Sequence, residues 1–338
     1  MDTLCVNSHV RIASAMLTAG FHLFPILSCK MKRFIKYSIL FAAIIAVLLG
    51  CCELMVRNSP NTYTMKKNWM ISHSGGIKTL ITGNSHSYYG IKPNAIGDSV
   101  FNIANVSQGH EYDYFLLTKF EPQLTNLKNL IVIVDESNIF DPPFEDAKEW
   151  FRAIYYKIYY GYDKHSDFSI YNYEISNCST FPIKLEKAIN YFCGDSIASD
   201  CDSLGWGCVF NAPKHFNVTE MKIDAKTTLE RHRCKNWENV GYNVQYLNKI
   251  GDWCKHHNVN IIIITTPMWD EFVNMISDRQ LSTMYDVINQ FVRKYNATYK
   301  DYLRDPRFQG RDFHDVDHLS DLGAEKFSRI LKQDIPVV

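Results

Sequence analysis

Residues 80–90 read LITGNSHSYYG, an apolar segment that passes directly into a polar turn. The apolar part belongs to a continuous run over residues 77–82, which is typical of a strand covered on both faces in a parallel sheet. Gly83 gives the turn after this strand its conformational freedom. Ser85 falls beyond the carboxyl end of the strand, where ligands and catalytic groups collect in parallel sheets. The turn therefore holds either serine chemistry or polar side chains that cap the next helix.

Further apolar runs extend the same interpretation along the chain. They cover residues 99–104, 127–134, 258–265 and 298–303. Apolar residues spaced by three and four between these runs predict helices, the last of them capped by Ser320. Alternating strands and helices predict an α/β fold, a three-layer α/β/α sandwich with a mostly parallel sheet. Residues 140–235 break the alternation and are interpreted as an aromatic-rich insertion over the active edge of the sheet.

Composition limits the class of protein. Of 338 residues, 36 are Lys or Arg and 36 are Asp or Glu, so no net charge attracts the chain to nucleic acid, and no nucleic-acid partner is expected. The apolar share of 46% and the aromatic share of 14% indicate a folded globular protein rather than a disordered one.

The N-terminal part carries the pattern of a targeting signal. Residues 31–52 read MKRFIKYSILFAAIIAVLLGCC, a basic start followed by an apolar run, as in secretory signals. The stretch LLGC at residues 48–51 resembles the lipobox of bacterial lipoproteins, and an uncleaved membrane anchor is the alternative. We therefore expect a signal or anchor at residues 31–56 and an irregular linker at residues 57–76. Residues 1–30 are interpreted as a start-site overcall or a leader.

These segments predict a membrane-anchored, exported protein of the cell envelope, periplasmic or at the surface. Six cysteines follow residue 76, and an oxidising compartment permits disulfides among them, with the pairing left open. A zinc site is the competing interpretation, but no Cys-x-x-Cys pair occurs in the sequence. Cys254 and His257 are interpreted as a solvated helix end rather than as zinc ligands.

A serine nucleophile needs a base, and the base needs a carboxylate to hold its tautomer. Residues 312–331 read DFHDVDHLSDLGAEKFSRIL and supply both just before the last predicted helix. Asp315 can reach Nδ1 of His318 across three residues, which leaves Nε2 free to face Ser85. The neighbouring Asp317 is expected to point elsewhere. Weaker candidates in the same segment are Asp312 and His314.

GNSHS after the first strand, DxxH before the last helix and LSxxGAxxFS after the histidine resemble the SGNH/GDSL hydrolase superfamily. The last of these motifs is similar to envelope members from Bacteroidetes. The resemblance follows the order of elements from residue 77 to residue 333, and it implies one SGNH or flavodoxin-like domain over residues 77–335. It also implies that Ser85 is the nucleophile, His318 the general base and later acid, and Asp315 the orienting carboxylate.

The family's oxyanion hole is implied at three further places besides the Ser85 amide. The second family block is matched by FNIANVSQG, so Gly109 or the backbone near Asn105 is a candidate. The third block is matched by DESNIF, so Asn138 is a candidate. Two positions depart from the family pattern: Asn84 stands where an Asp commonly precedes the serine, and Glu136 stands where a Gly is expected.

The function implied is hydrolysis or transfer of an acyl group, such as acetyl, on an envelope or extracellular glycan, with no metal and no organic cofactor. The alternative is an envelope lipoprotein that keeps the SGNH fold for a binding or structural role and has lost turnover. Residues 151–165, FRAIYYKIYYGYDKH, either form aromatic platforms for sugar rings or pack within the core of the insertion.

Overall fold

The computed structural model describes residues 6–164, 169–195, 200–213 and 216–335, with side chains from residue 29 onward. It divides into an N-terminal unit that ends at Asn58 and a larger unit that begins at Ser59. The N-terminal unit is one helix, α1 (Val6–Asn58). Its 30-residue part Cys29–Asn58 is long and apolar enough to cross a membrane. A signal sequence near the N-terminus has the same length and composition, so the segment fits either role.

The larger unit is built on a parallel sheet of five strands, in the order β2-β1-β3-β4-β5. The strands are β1 (Thr79–Ile81), β2 (Val100–Asn102), β3 (Asn129–Ile133), β4 (Asn260–Thr265) and β5 (Thr298–Asp301). Leu80 of β1 lies beside Phe101 of β2 and Leu130 of β3. The first three strands are buried along their whole length because their continuous apolar runs leave no polar face for solvent.

Helices cover both faces of the sheet. They are α2 (Thr62–His73), α3 (Ser85–Gly90), α4 (Pro93–Ile96), α5 (His110–Phe120), α6 (Arg152–Tyr155), α7 (Phe181–Phe192), α8 (Val218–His232), α9 (Asn239–His257), α10 (Asp270–Val273), α11 (Asp278–Tyr295) and α12 (Asp321–Asp334). Helix α12 packs against α3 and α4, whereas α9 packs against α5 and α11. Ser320 caps α12, its hydroxyl accepting from the Gly323 amide at 3.3 Å. The predicted three-layer α/β/α sandwich is confirmed.

The prediction of an irregular linker over residues 57–76 is wrong. Helix α2 occupies most of it and begins with a capping box, in which the side chain of Asn61 accepts from the Thr64 amide at 2.9 Å. Met70 is fully buried, and the Trp69 ring stacks on Phe101 with centroids 3.9 Å apart. The composition of α2 is polar, but these two apolar residues fix it to the domain core, so the folded domain begins before residue 77.

Within the described parts of residues 140–235, no strand joins the five-stranded sheet. One loop of this insertion nevertheless reaches the edge strand β2, where the Asn102 amide donates to the Leu204 carbonyl at 3.0 Å. The approach requires Gly205, which has φ +88°. A Cβ on Gly205 would lie 2.0 Å from the Asn102 carbonyl oxygen, so only glycine fits there.

The tyrosines of residues 151–160 are buried against one another. Of the two interpretations given for this segment, the structure therefore agrees with packing inside the insertion rather than with aromatic platforms for sugar rings. Tyr156 and Tyr160 are fully buried with ring centroids 5.8 Å apart, and Tyr63 packs on Tyr155 at 5.0 Å. Cys254 also departs from its interpretation as part of a solvated helix end, because it is fully buried on α9. Its thiol and that of Cys178 are free.

Candidate active site

The turn after β1 presents Ser85 at the carboxyl edge of the sheet. Gly83 has φ +117°, and a Cβ there would lie 2.9 Å from the Ser87 hydroxyl and 3.1 Å from the Ile133 side chain. Only glycine therefore allows so sharp a turn from strand to helix. Asn84 caps α3 by accepting from the His86 amide at 3.0 Å, which makes Ser85 the first residue of the helix.

The structure brings Ser85 together with the two partners predicted for it. His318 lies 233 residues away in the chain, and its Nε2 is 2.8 Å from the Ser85 hydroxyl. Its Nδ1 lies 3.0 Å and 3.1 Å from the two carboxylate oxygens of Asp315. Asp315 also accepts from the His318 amide at 2.7 Å, so the loop before α12 holds both carboxylate and ring in place. This is the geometry of a nucleophile, a base and an orienting carboxylate.

Two carboxylates control the protonation of His318. Burial disfavours the charged ring, but the negative charges of Asp317 and Asp315 outweigh it and raise the pKa of His318 to about 9. A raised pKa makes the ring a stronger proton acceptor once it is neutral.

The three side chains line one cavity of about 1210 Å³. Insertion residues, among them Phe140, Phe144 and Arg231, form much of its wall. Next to the imidazole, Tyr89 stacks on Phe210 at 3.8 Å, and Phe210 meets His318 edge-on at 5.2 Å. The insertion thus encloses the carboxyl edge of the sheet.

Gly109, one of the predicted oxyanion donors, lies in the wall of the same cavity at the start of α5. In the described part of the chain, the backbone amides of Gly109 and Ser85 donate to no other residue. Two free amides at the cavity wall are the kind of donor that stabilises negative charge on a carbonyl oxygen.

The other two predicted oxyanion residues are placed elsewhere. Asn138 is buried, its amide nitrogen donates to the Ile133 carbonyl at 3.0 Å, and its oxygen accepts from the Asp135 amide at 3.1 Å. Both polar atoms therefore serve the turn after β3. Asn105 is also buried, and its backbone amide donates to the Gly83 carbonyl at 3.3 Å. Its side-chain nitrogen lies 3.4 Å from both the Ile103 carbonyl and the Gln108 side-chain oxygen. Neither asparagine is among the described residues that line the cavity.

Sequence reasoning missed a second group of ionisable residues beside the first. Asp317, expected to point away, has Oδ1 3.4 Å from Nδ1 of His318. Its Oδ2 lies 3.4 Å from Nε2 of His86 and 3.3 Å from Nε2 of His232. In the sequence, His86 could be connected with the site because it directly follows Ser85. His232 could not, because it lies in the insertion and far from both motifs. Asp317 points inward rather than away from the site. Its side chain is 1% exposed, and a buried carboxylate needs polar partners.

Two overlapping sets of side chains each have three ligand atoms within 4.8 Å of one another, which is close enough to hold a cation. One set is His86, Asp317 and His318. The other is His86, Asp135 and Glu136. A cation in the first set would compete for the imidazole that contacts Ser85. The expectation that no metal takes part remains a prediction.

No protein-family model matches the sequence, and no curated protein matches it.

Proposed function

We propose that the chain is a serine-dependent acyl-ester hydrolase or O-acyltransferase of the SGNH type. The observation that carries the proposal is the 2.8 Å contact between the Ser85 hydroxyl and Nε2 of His318, with Asp315 3.0 Å from Nδ1. A serine hydroxyl becomes a nucleophile only when a base takes its proton, and this contact supplies the base. The SGNH assignment itself comes from the sequence motifs.

In the proposed first step, Ser85 Oγ attacks the ester carbonyl carbon while its proton passes to Nε2 of His318. Negative charge develops on the carbonyl oxygen, towards the free amides of Ser85 and Gly109. The intermediate collapses with cleavage of the bond to the leaving alcohol, which takes the proton from His318. In the second step, water or another hydroxyl loses its proton to His318 and attacks the acyl-serine, and Ser85 regains its proton.

The size of the cavity favours a substrate larger than a simple ester. Its volume of about 1210 Å³ exceeds the usual range for drug-sized ligands. An ester-bearing glycan of the envelope would fill it, with the acyl group at Ser85 and the sugar chain along the insertion. The glycan is proposed from the family resemblance, and the cavity volume is compatible with it.

The helix Cys29–Asn58 supports a location at a membrane. We place the domain in the cell envelope, exported and anchored by this helix or by a lipid on Cys51. Acyl-ester chemistry on an extracellular glycan requires this side of the membrane.

The test is labelling of the full chain with a serine-directed fluorophosphonate, together with turnover of small acetyl esters. We expect one label, at Ser85, and loss of both label and turnover in Ser85→Ala. Ser282→Ala is the matched control, because Ser282 is an exposed serine on α11 that bonds to the Arg279 carbonyl. Neither label nor turnover in the wild type would overturn the proposal in favour of an envelope binding protein without turnover.

A further inference from the structure

Asp113 is a fully buried carboxylate that no step of the proposed reaction uses. It lies in the first turn of α5, the helix that begins after Gly109, and its side chain has no exposed surface. Burial of a charged group is costly unless hydrogen bonds replace the water around it. The contacts of Asp113 therefore show what its carboxylate holds in place.

The carboxylate accepts two hydrogen bonds at one oxygen, Oδ1. One comes from the backbone amide of Gly83 at 2.9 Å, and the other comes from Nε2 of Gln108 at 2.6 Å. The second oxygen, Oδ2, lies 3.4 Å from Nδ1 of His110. Hydrogen bonds to a charged acceptor are stronger than those between neutral groups. The bond to Gly83 therefore fastens the turn that carries Ser85 to α5.

The backbone of Asp113 makes a second connection, to Gly109. The Asp113 amide donates to the Gly109 carbonyl at 3.1 Å. Gly109 is the N-cap of α5, and its own amide is one of the two free amides at the cavity wall. The other free amide is that of Ser85. One residue thus connects the two chain segments that supply these amides.

The segment before α5 also holds the other side of Gly83. The Gly83 carbonyl accepts from the Asn105 amide at 3.3 Å. Because Gly83 has no side chain to pack, hydrogen bonds at its amide and its carbonyl fix its position. Both bonds lead to residues 105–113, so the turn after β1 is fastened to this segment at two points.

We infer that Asp113 is a positioning residue for the oxyanion site and sets the position of the Ser85 amide relative to the Gly109 amide. The inference rests on the proposed function, because it gives Asp113 a part in stabilising the intermediate formed at Ser85. Asp113 is not among the described residues that line the cavity. It acts through Gly83 and through the first turn of α5.

The physical reason is that stabilisation of an oxyanion depends on the exact placement of its donors. They must lie about 2.7–3.1 Å from the place where the negative charge develops, and donors that are already in place need no rearrangement during the reaction. Loss of the Asp113 carboxylate would leave both amides present but no longer fixed to each other. The transition state would then lose more stabilisation than the bound ester.

A purely structural role for Asp113 predicts a different kinetic result. A variant that only unfolds more easily contains fewer active molecules, and those that remain bind every ligand as the wild type does. A variant with a displaced amide binds a tetrahedral analogue of the intermediate weakly in every molecule. The inhibition constant of such an analogue separates the two roles, because it does not depend on the number of active molecules.

The experiment uses the full chain in detergent micelles with methylboronic acid, which forms a tetrahedral adduct on a reactive serine and resembles the intermediate of an acetyl ester. Loss of an oxyanion donor costs about 10²–10³ in kcat. For Asp113→Ala we expect kcat on an acetyl ester to fall about 10²-fold and the boronate inhibition constant to rise about 10²-fold, with little change in KM. Fluorophosphonate labelling counts the active molecules, so that kcat is expressed per labelled serine.

Two further variants define the result. In Asp113→Asn the side-chain oxygen can still accept from the Gly83 amide, so this variant should regain most of the affinity for the boronate. Glu174→Ala is the matched control, because Glu174 is also a fully buried carboxylate but bonds to Tyr159 and Lys184 at 2.7 Å. It is not among the described residues that line the cavity, so we expect lower stability with unchanged kcat and inhibition constant.

An unchanged boronate inhibition constant in folded Asp113→Ala would overturn the inference, even if less of the protein folds. If that variant does not fold, Gln108→Leu tests the same connection, because it removes the side chain that donates to the Asp113 carboxylate. A wild-type inhibition constant in Gln108→Leu would equally overturn the inference. A wild type with neither turnover nor boronate binding would overturn the proposed function itself, and the inference with it.

Discussion

Two histidine–aspartate pairs lie close together near Ser85, with their rings 5.0 Å apart, and they differ in what the second ring nitrogen faces. In the pair His318–Asp315, Nε2 faces the Ser85 hydroxyl at 2.8 Å. In the pair His86–Asp135, Nε2 faces another carboxylate, that of Asp317, at 3.4 Å. A hydroxyl can give up a proton to the ring, whereas a carboxylate only accepts one. On the proposed function, the same two residue types provide a base in one pair, whereas in the other pair burial opposes but the nearby carboxylates raise the pKa of the ring.

The largest effect is expected from removing the ring that faces the hydroxyl. His318→Gln should lower kcat by about 10⁶-fold, as loss of the base does in serine proteases. The control is His314→Gln, since His314 is an exposed ring in the same loop that stacks on Phe210 at 4.1 Å. Steady-state kinetics on an acetyl ester measures both. Equal losses in the two variants would contradict the role given to His318.

Asp315→Asn tests how much the orientation of the His318 ring depends on Asp315, which is more exposed than Asp317. Loss of the orienting aspartate costs about 10⁴-fold in the protease triad. We expect a smaller loss here, about 10³-fold on that scale, because Asp317 still faces Nδ1 of His318. Measurement of kcat for the single and double variants with Asp317→Asn gives the coupling. Independent, multiplicative losses would show that the two carboxylates do not share the ring.

Asp135→Asn breaks the other pair and should act on stability. It leaves the buried His86 cation without its closest partner, and removal of one member of a buried ion pair typically costs about 3–5 kcal/mol. Urea unfolding monitored by tryptophan fluorescence measures the loss. Glu230→Gln is the control, since the side chains of Glu230 and its partner Arg233 are 66% and 63% exposed. A loss no larger than that of the control would mean that His86 is not a buried cation.

The smallest effect is the pH response of the first pair. Only neutral His318 can take the serine proton, so kcat/KM should fall about tenfold per pH unit below the pKa of His318, which is about 9. Stability should change in the opposite direction. Because the folded-state pKa is raised above the ordinary value of 6.5, the His318 contribution is complete below pH 6.5 and is lost as pH rises through about 9. Rate profiles and unfolding curves over this window check both signs.

The parts of the fold and site that could be predicted depend on contiguous residues. The buried runs that became β1 to β4 were visible because a parallel strand is apolar on both faces. Ser85, Asp315 and His318 were visible because each lies at the end of a strand or just before a helix. The prediction for Asn138 failed because a motif does not show which hydrogen bonds the turn itself makes. Both polar atoms of this side chain bond to the backbone of its own turn.

Helix α2 and the Asp317 cluster could not be predicted for a different reason. The buried face of α2 consists of few residues, including Lys66 and Met70. One of these is a lysine, so the segment shows no helical repeat of apolar residues in the sequence. The cluster joins His86, His232 and Asp317 from three distant segments. Tertiary packing decides which histidines point into the protein. The spacing of residues along the chain does not indicate it.

The loop around Gly205 has a consequence for how copies of the chain behave side by side. Strand β2 ends the sheet, and an unoccupied edge is a template on which a second polypeptide can add as a further strand. The Leu204 carbonyl already accepts from the Asn102 amide at this edge. The chain's own loop therefore already occupies this hydrogen-bonding position of the edge strand. A bulky side chain at position 205 would push the loop away and leave the Asn102 amide free to accept a strand from another molecule.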